Sequence, residues 1–349
     1  MADTSSRRLW PVVGVGVVLA LVVAFLVVFD WRAVLAALGR ADPGLVVAAV
    51  GSVTFAILAW AESQRRLLAR SGAVVPPLRC VLVYAAGLFP RFALPVGYAS
   101  SMLVLARLFQ RESDLSYEGS LAVVSIAEGL SFAASTALAV AGGTALLVFP
   151  SLLPPAWRLP AGLALGAGAV TLPVALAWYR QDLFERFREG LKRAIDRVGG
   201  GIESRLGIGV PVSRAKRAID RYAVRFFQVS EDRGTVAVAF FLAGSGWLAI
   251  AGALYASALA VDLALPAAVV LFVVSAAGYA NVLPIPGGLG GYEAVGVGAL
   301  SVFSGAAPET AVAAILLFRA ASYWFPLAVG GLAATYLSVD ALWVDLESK

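Results

Sequence analysis

Histidine is absent from this 349-residue sequence, and cysteine occurs once, at Cys80. Without histidine, the chain lacks the commonest metal ligand and the usual proton shuttle of proteins. Charged residues make up only 14% of the sequence, well below the roughly 25% usual in soluble domains. Any ionic or protonic chemistry must therefore fall to a few carboxylates, arginines and backbone groups, and we expect no metal site and no cofactor.

Apolar residues take the place of the missing charge. They make up 60% of the chain, against roughly 45–50% in soluble domains. A helix needs roughly 20 largely apolar residues to cross a bilayer core, and no alternating pattern of barrel strands recurs. The sequence therefore predicts an all-α, polytopic membrane protein that forms a single transmembrane domain over residues 1–349. About six spanning helices are expected, at 11–29, 44–61, 119–149, 160–178, 235–260 and 309–338.

The distribution of basic residues orients these helices. Segment 180–233 holds 13 of the 27 Lys and Arg residues but only 8 of the 22 Asp and Glu residues. This bias places the segment in the cytoplasm by the positive-inside tendency, and Arg7 and Arg8 place the N-terminus on the same side. We expect a plasma-membrane protein with both termini cytoplasmic. The basic insertion is either a solvated connector or an amphipathic surface that contacts an anionic leaflet.

Two further apolar segments, 80–109 and 266–304, are interrupted and do not fit single spans. The halves of the first are near 15 residues each, which is about 22 Å of helix and too short to span comfortably. Charge places both ends of this segment in the cytoplasm, so we predict a re-entrant hairpin, with a second hairpin of opposite orientation at 266–304. The breaks contain Pro95 and Gly97 in the first segment and Pro284, Pro286 and Gly287 in the second.

The two hairpins lie in similar sequence contexts. In the first half, 11–178, the break is followed by a loop and then by a helix that carries Glu128; in the second half, 235–338, the corresponding helix carries Arg319. The halves face opposite ways by the charge argument. Broken segments at matching places in two oppositely oriented halves indicate a transporter-type inverted repeat, with the binding site between the breaks. The alternative is a chance similarity between two apolar sequences that are both rich in Pro and Gly.

Glu128 and Arg319 each lie about ten residues inside a predicted spanning helix. A charge near the bilayer centre costs roughly 2.5–3.5 kcal/mol, so each side chain needs a partner or a wet cavity. Their opposite signs at equivalent positions predict an ion pair between them, which would simply join two helices. Alternatively, Arg319 offers its planar guanidinium to a phosphate, and Glu128 serves as counter-ion or proton acceptor.

The second break offers a further anion site, because glycines leave backbone N–H groups uncovered at a helix start. These glycines are Gly287, Gly288, Gly290 and Gly291. Glu293 follows in the first turn, where it either complements the helix dipole, balances charge or couples to protons. Further candidates for substrate contact are Arg91, Tyr323 and Trp324. Interfacial snorkelling of the arginine and ordinary packing of the aromatic rings are the alternatives.

Two strings together resemble the membrane domain of lysylphosphatidylglycerol synthases and their stand-alone, flippase-like relatives. They are Pro286-Gly-Gly-Leu-Gly-Gly-Tyr-Glu293 and Arg319-Ala-Ala-Ser-Tyr-Trp-Phe-Pro326. Gly129 is a departure, because many relatives have an arginine directly after the glutamate. The soluble aminoacyl-transferring domain of the synthases also has no counterpart in this sequence.

The resemblance implies translocation of a lipid between leaflets and no enzymatic synthesis. The lipid is either a phospholipid or a polyprenyl-linked glycolipid, because relatives are associated with both. An intramembrane enzyme, or enzyme subunit, acting on a lipid-linked substrate is a second hypothesis, and a non-catalytic membrane scaffold is a third. We expect a membrane lipid as the partner and no nucleic acid, and the sequence leaves homo-oligomerisation open.

Overall fold

The computed structural model describes residues 30–94, 96–149, 212–278 and 286–347, with a few isolated positions between 162 and 193. Within these residues the secondary structure is helical and contains no strand, as predicted. Other predicted features lie outside the described residues. They are the spans 11–29 and 160–178, Pro95, Pro284 and most of the basic insertion before residue 212.

The described helices follow the predicted segments closely. They are α1 (Trp31–Gly39), α2 (Pro43–Arg70), α3 (Pro77–Ala93), α4 (Gly97–Arg111), α5 (Tyr117–Val148), α6 (Val212–Ser230), α7 (Arg233–Leu259), α8 (Ala267–Gly278), α9 (Gly291–Ser304), α10 (Pro308–Arg319) and α11 (Phe325–Glu347). A 3-10 turn, Pro286–Gly288, precedes α9, and a π-helical turn, Ala320–Trp324, joins α10 to α11.

Within the described residues, four stretches are long and apolar enough to cross a membrane, namely Pro43–Arg70, Tyr117–Val148, Arg233–Leu259 and Pro308–Ser338. They coincide with four of the six spans that the sequence predicts. Both interrupted segments also form two helices each in the structure. Segment 80–109 forms α3 and α4, and segment 266–304 contains α8 and α9. The arms have 17 and 15 residues in the first case and 12 and 14 in the second. Their re-entry into the membrane stays a prediction.

Packing contacts in the first group of helices recur in the second. The contacts α2–α3, α3–α4 and α4–α5 have counterparts in α7–α8, α8–α9 and α9–α10. The first arm of each broken pair packs across the molecule, α3 against α11 and α8 against α5. Even the short leading helices match, because α1 packs on α10 and α6 on α5. The matched set supports a two-fold relation between the groups.

The two central helices, α2 and α7, run antiparallel. At one end, the backbone N–H of Asp42 donates to the carbonyl of Ala260 at 2.9 Å. At the other end, Arg70 Nε lies 2.8 Å from Asp232 Oδ2. Asp42 and Asp232 also cap the starts of α2 and α7, which fixes where both helices begin. Antiparallel equivalents support the predicted inverted repeat.

Helix α6 lies in the last part of the segment that the sequence treats as a basic insertion. Its Ala223, Phe226 and Val229 are buried, and the helix packs on α5. Arg221 Nη2 pairs with Glu118 Oε1 at 2.5 Å, and Arg225 donates to the Ser71 carbonyl. This part of 180–233 therefore packs into the helical fold along one face and is not a solvated connector. Contact of the insertion with an anionic leaflet stays a prediction.

Candidate functional site

A cavity lies where the two helix breaks meet. Helices α2 to α5 and α7 to α11, together with the 3-10 and π-helical turns, contribute its walls. Its polar lining consists of Arg91, Ser131, Arg319 and Ser322. Its aromatic lining consists of Trp60, Phe92, Tyr98, Trp247, Tyr292 and Phe318. Two cationic side chains thus face an otherwise largely apolar space.

Arg91 lies near the C-terminal end of α3 and pairs with Glu128 in the middle of α5. Arg91 Nη2 lies 2.5 Å from Glu128 Oε1, and the two side chains are 12% and 9% exposed. The guanidinium also lies 4.2 Å from the centre of the Tyr98 ring. However, Arg91 Nε and Glu128 Oε2 are buried without any hydrogen-bond partner. This ion pair therefore leaves one donor and one acceptor unused.

Arg319 ends α10 and pairs with Glu293 in the first turn of α9. Arg319 Nε lies 2.7 Å from Glu293 Oε1, and Arg319 Nη2 donates to the Gly287 carbonyl at 2.9 Å. The other carboxylate oxygen of Glu293 accepts from the Gly290 N–H at 2.6 Å. The Arg319 guanidinium lies between the rings of Tyr292 and Tyr323, 5.0 and 4.6 Å from their centres. This second ion pair is well satisfied.

Tyr323 connects the two breaks to each other. Its hydroxyl donates to the Phe92 carbonyl at 3.2 Å, and its ring meets the Phe92 ring edge to face. Gly287 packs against the same ring with a φ of +54°, and a Cβ there would lie 2.1 Å from the Tyr323 ring. The π-helical turn after Arg319 adds a residue to the helix turn and places Tyr323 at this junction.

The predicted ion pair between Glu128 and Arg319 is wrong. Each of the two has a different partner, Arg91 and Glu293 respectively. Both partners come from the broken segment that directly precedes the charged helix. Equal depth along two helices does not determine which neighbour a side chain faces, because that depends on the rotation of each helix about its axis.

At the glycine-rich helix start, one of the backbone N–H groups that the sequence predicts as an anion site is already occupied. The N–H of Gly290 is taken by Glu293, in the spacing of a capping box. Gly287 contributes its carbonyl to Arg319, whereas Gly288, Gly290 and Gly291 do not line the cavity. Trp324 also lies outside the cavity and is 58% exposed. Among the predicted substrate contacts, Arg91, Arg319 and Gly287 line the cavity.

Sequence reasoning missed Trp60, Gln64, Tyr98 and Trp247. The Trp60 and Trp247 rings meet at 5.6 Å between the central helices, and Trp247 Nε1 donates to Ser131 Oγ. Two tryptophans near the middle of apolar segments were an available signal. Gln64 is 1% exposed, but it lies beside Glu62 and Arg65, beyond residue 61, where the predicted span ends.

The chain matches the family described as lysylphosphatidylglycerol synthase TM region over residues 12–330. It belongs to this family. The family is a membrane domain associated with lipid-modifying or flippase activity, and the apolar helices agree that the chain is a membrane protein. No curated protein matches the chain. The strings around Glu293 and Arg319, which carry the resemblance in the sequence, form the second ion pair of the site.

The arrangement is suited to holding an anion. Two guanidinium groups face a cavity whose other walls are mostly aromatic and aliphatic, and a buried Arg group forms strong charge-assisted bonds to phosphate oxygens. Among the described residues there is no cluster of His, Cys, Asp and Glu that could hold a metal ion. The chemistry that the cavity supports best is binding of a phosphate group with an apolar attachment.

Proposed function

We propose that this protein moves a phosphate-bearing lipid, either a phospholipid or a polyprenyl-linked glycolipid, between the leaflets of the cell membrane. The observation that carries the proposal is Arg91, whose Nε is buried and unpaired in the lining of the central cavity. A buried donor without a partner is costly, so the free protein retains an unmet demand for an acceptor. A phosphate oxygen meets that demand.

The position of the cavity supports transport. It lies between two helix breaks in a set of helices with matched packing, which is where secondary transporters hold their substrates. The aromatic rings can cover the apolar part of a head group, while the acyl or prenyl chains stay in the surrounding lipid. The family association with lipids agrees with this assignment.

The geometry supports different roles for the two arginines. Arg319 has its Nε on Glu293 and its Nη2 on the Gly287 carbonyl. We infer that Arg319 chiefly holds the second break in place and adds positive potential to the cavity. Arg91 has one hydrogen bond to Glu128 and one donor unused. Arg91 is therefore the primary phosphate contact in this proposal.

The test is lipid translocation by the purified full-length protein in proteoliposomes that carry a fluorescent phosphatidylglycerol or a polyprenyl phosphate. Arg91→Gln should lower the translocation rate by about tenfold or more, as expected for the loss of a charged hydrogen bond to phosphate. Arg70→Gln is the matched control, because Arg70 is half exposed and pairs with Asp232 outside the cavity. Wild-type translocation of both lipids by Arg91→Gln would refute the proposal.

A second candidate function is an intramembrane enzyme acting on a lipid-linked substrate. The observation that favours it is Ser322, whose buried hydroxyl has no partner and lines the cavity beside Arg319. Such a hydroxyl could contact the reacting phosphate of a lipid. Mass spectrometry of lipids incubated with the purified protein should then show a new product that Ser322→Ala abolishes. An unchanged lipid profile would exclude this function for the lipids tested.

A further inference from the structure

Both helices that follow the breaks begin with the dipeptide Gly-Tyr. It is Gly97-Tyr98 in α4 and Gly291-Tyr292 in α9. Both tyrosines line the central cavity. The same side chain therefore reaches the cavity from equivalent positions of the two matched groups of helices.

The ring of each tyrosine lies against the arginine of one ion pair. The guanidinium carbon is 4.2 Å from the ring centre for Arg91 on Tyr98 and 5.0 Å for Arg319 on Tyr292. Arg319 has a second ring, that of Tyr323, at 4.6 Å. Among the described residues, Arg91 is thus supported by the single ring of Tyr98, whereas Arg319 is held between two rings.

A ring against the face of a guanidinium group restrains the plane of that group and leaves its hydrogen-bond donors free, because all five N–H bonds lie in the plane. The contact also stabilises the positive charge in a desolvated place. One of the donors, Arg91 Nη2, binds Glu128 Oε1. The remaining donors lie in the plane that Tyr98 restrains, so a phosphate oxygen can bind them without first ordering the side chain.

The backbone of the first break holds Tyr98 in this position. Helix α4 starts directly on the backbone of Arg91, and a Cβ at Gly97 would collide with the Arg91 carbonyl. The Tyr98 hydroxyl also interacts electrostatically with the side chains of Arg91 and Glu128. Tyr98 therefore contacts both members of the first ion pair.

We propose that Tyr98 is a positioning residue for the lipid phosphate, because its ring holds the guanidinium group of Arg91 in the orientation that binds the phosphate in the central cavity. Tyr292 is its counterpart at the structural pair. The inference rests on the proposed function, since it concerns phosphate binding by Arg91. A guanidinium group that loses the ring must be ordered at the moment of binding, so the affinity for the lipid falls.

Isothermal titration calorimetry tests this role on the purified full-length protein in detergent. The probes, titrated separately, are a short-chain phosphatidylglycerol and a short-chain prenyl phosphate. Tyr98→Leu should weaken binding by about five- to thirtyfold, as expected for the loss of a desolvated cation–π contact. Tyr98→Phe keeps the ring and should stay within about threefold of wild type. Tyr255→Leu is the control, because Tyr255 is 42% exposed and does not line the cavity.

A double variant separates the orientation of Arg91 from a general structural role of Tyr98. Because Tyr98 acts through Arg91, Arg91→Gln combined with Tyr98→Leu should bind no more weakly than Arg91→Gln alone. Circular dichroism verifies that each variant is folded. If Tyr98→Leu does not fold, Tyr98→Met takes its place, because methionine also lacks a ring and adapts to irregular spaces.

Three outcomes would overturn the role of the Tyr98 ring. They are wild-type binding by Tyr98→Leu, equal losses for Tyr98→Phe and Tyr98→Leu, and additive losses in the double variant. In each case the weaker binding by Arg91→Gln remains, so the proposed function stands. Wild-type binding by Arg91→Gln, or no binding of either lipid by the wild-type protein, would instead refute the proposed function and the inference with it.

Discussion

The two ion pairs of the site correspond in chain order and are reversed in charge. In the first, the broken segment supplies the cation, Arg91, and the following helix supplies the anion, Glu128. In the second, the broken segment supplies the anion, Glu293, and the following helix supplies the cation, Arg319. Each pair fastens a broken segment to the spanning helix that comes next in the chain.

The pairs differ in how completely they are satisfied. Both oxygens of Glu293 accept hydrogen bonds, and Arg319 donates to Glu293 and to a backbone carbonyl. In the first pair, by contrast, Arg91 Nε and Glu128 Oε2 are both unpaired. A fully bonded buried pair resists rearrangement, whereas an incompletely bonded one can exchange partners. The comparison indicates that the Glu293–Arg319 pair has a structural role, whereas the Arg91–Glu128 pair is available to ligands.

The largest expected effect is on stability and comes from Arg319. Arg319→Gln takes the cation from Glu293, which keeps the Gly290 N–H, and releases the Gly287 carbonyl. Breaking one partner of a fully buried pair costs about 3–5 kcal/mol, and the loss should not exceed this range because Glu293 is 27% exposed. Arg91→Gln breaks one hydrogen bond where Arg319→Gln breaks two, so on the count of hydrogen bonds it should cost less, although it also leaves the buried Glu128 without its cation. Chemical unfolding of both variants in detergent, followed by circular dichroism, measures the difference. If both variants lose the same free energy of unfolding, the assignment of one ion pair to structure and the other to ligand binding is wrong.

The backbone at the second break should be nearly as sensitive. Gly287→Ala forces a Cβ to within 2.1 Å of the Tyr323 ring at a φ of +54°. Gly305→Ala is the matched control, because Gly305 has a φ of +65° with no atom within 4 Å of the added carbon. The control should lose about 1 kcal/mol from backbone strain alone.

Gly287→Ala should lower the free energy of unfolding by more than the control does in the same assay, because Tyr323 must move and its contact with Phe92 is disturbed. It should also slow lipid translocation, since the junction of the two breaks forms part of the cavity wall. Similar losses for the two alanine variants would show that the Gly287–Tyr323 contact contributes little, and would weaken the structural role assigned to the second break.

The main helices and both breaks could be predicted from the sequence, because hydropathy and Pro or Gly punctuation are local signals. Which charged side chains pair with each other could not be predicted from the sequence. The pairing depends on how each helix is rotated about its axis and on which helices pack together, and no local pattern specifies either. Gln64 was missed because α2 continues to Arg70, beyond the point where charged residues begin. Helix α6 was missed because its arginines outweigh a narrow apolar face formed by Ala223, Phe226 and Val229.

A smaller effect is expected from the hydroxyl that joins the two breaks. Tyr323→Phe removes the hydrogen bond to the Phe92 carbonyl and keeps the ring on Gly287, so it should cost about 1 kcal/mol. Tyr255→Phe, on a half-exposed side chain of α7, is the control. If the hydroxyl restrains the breaks relative to each other, Tyr323→Phe should also change the translocation rate. A change in stability with no change in rate would confine its role to packing.

The smallest expected effect comes from Asp232, the carboxylate that caps the start of α7. The backbone N–H of Thr235 and, to a lesser extent, Arg70 hold the pKa of Asp232 below its usual value of 3.8. A carboxyl group with a lowered pKa stabilises the fold above its ordinary pKa, and this contribution is lost as the pH falls through the lowered value. Unfolding followed from about pH 5, above the ordinary aspartate pKa, down to about pH 2 should therefore show an acid-dependent loss that Asp232→Asn reduces. The asparagine still caps α7 but cannot titrate, so an identical acid profile for the two proteins would place the loss at other carboxyl groups.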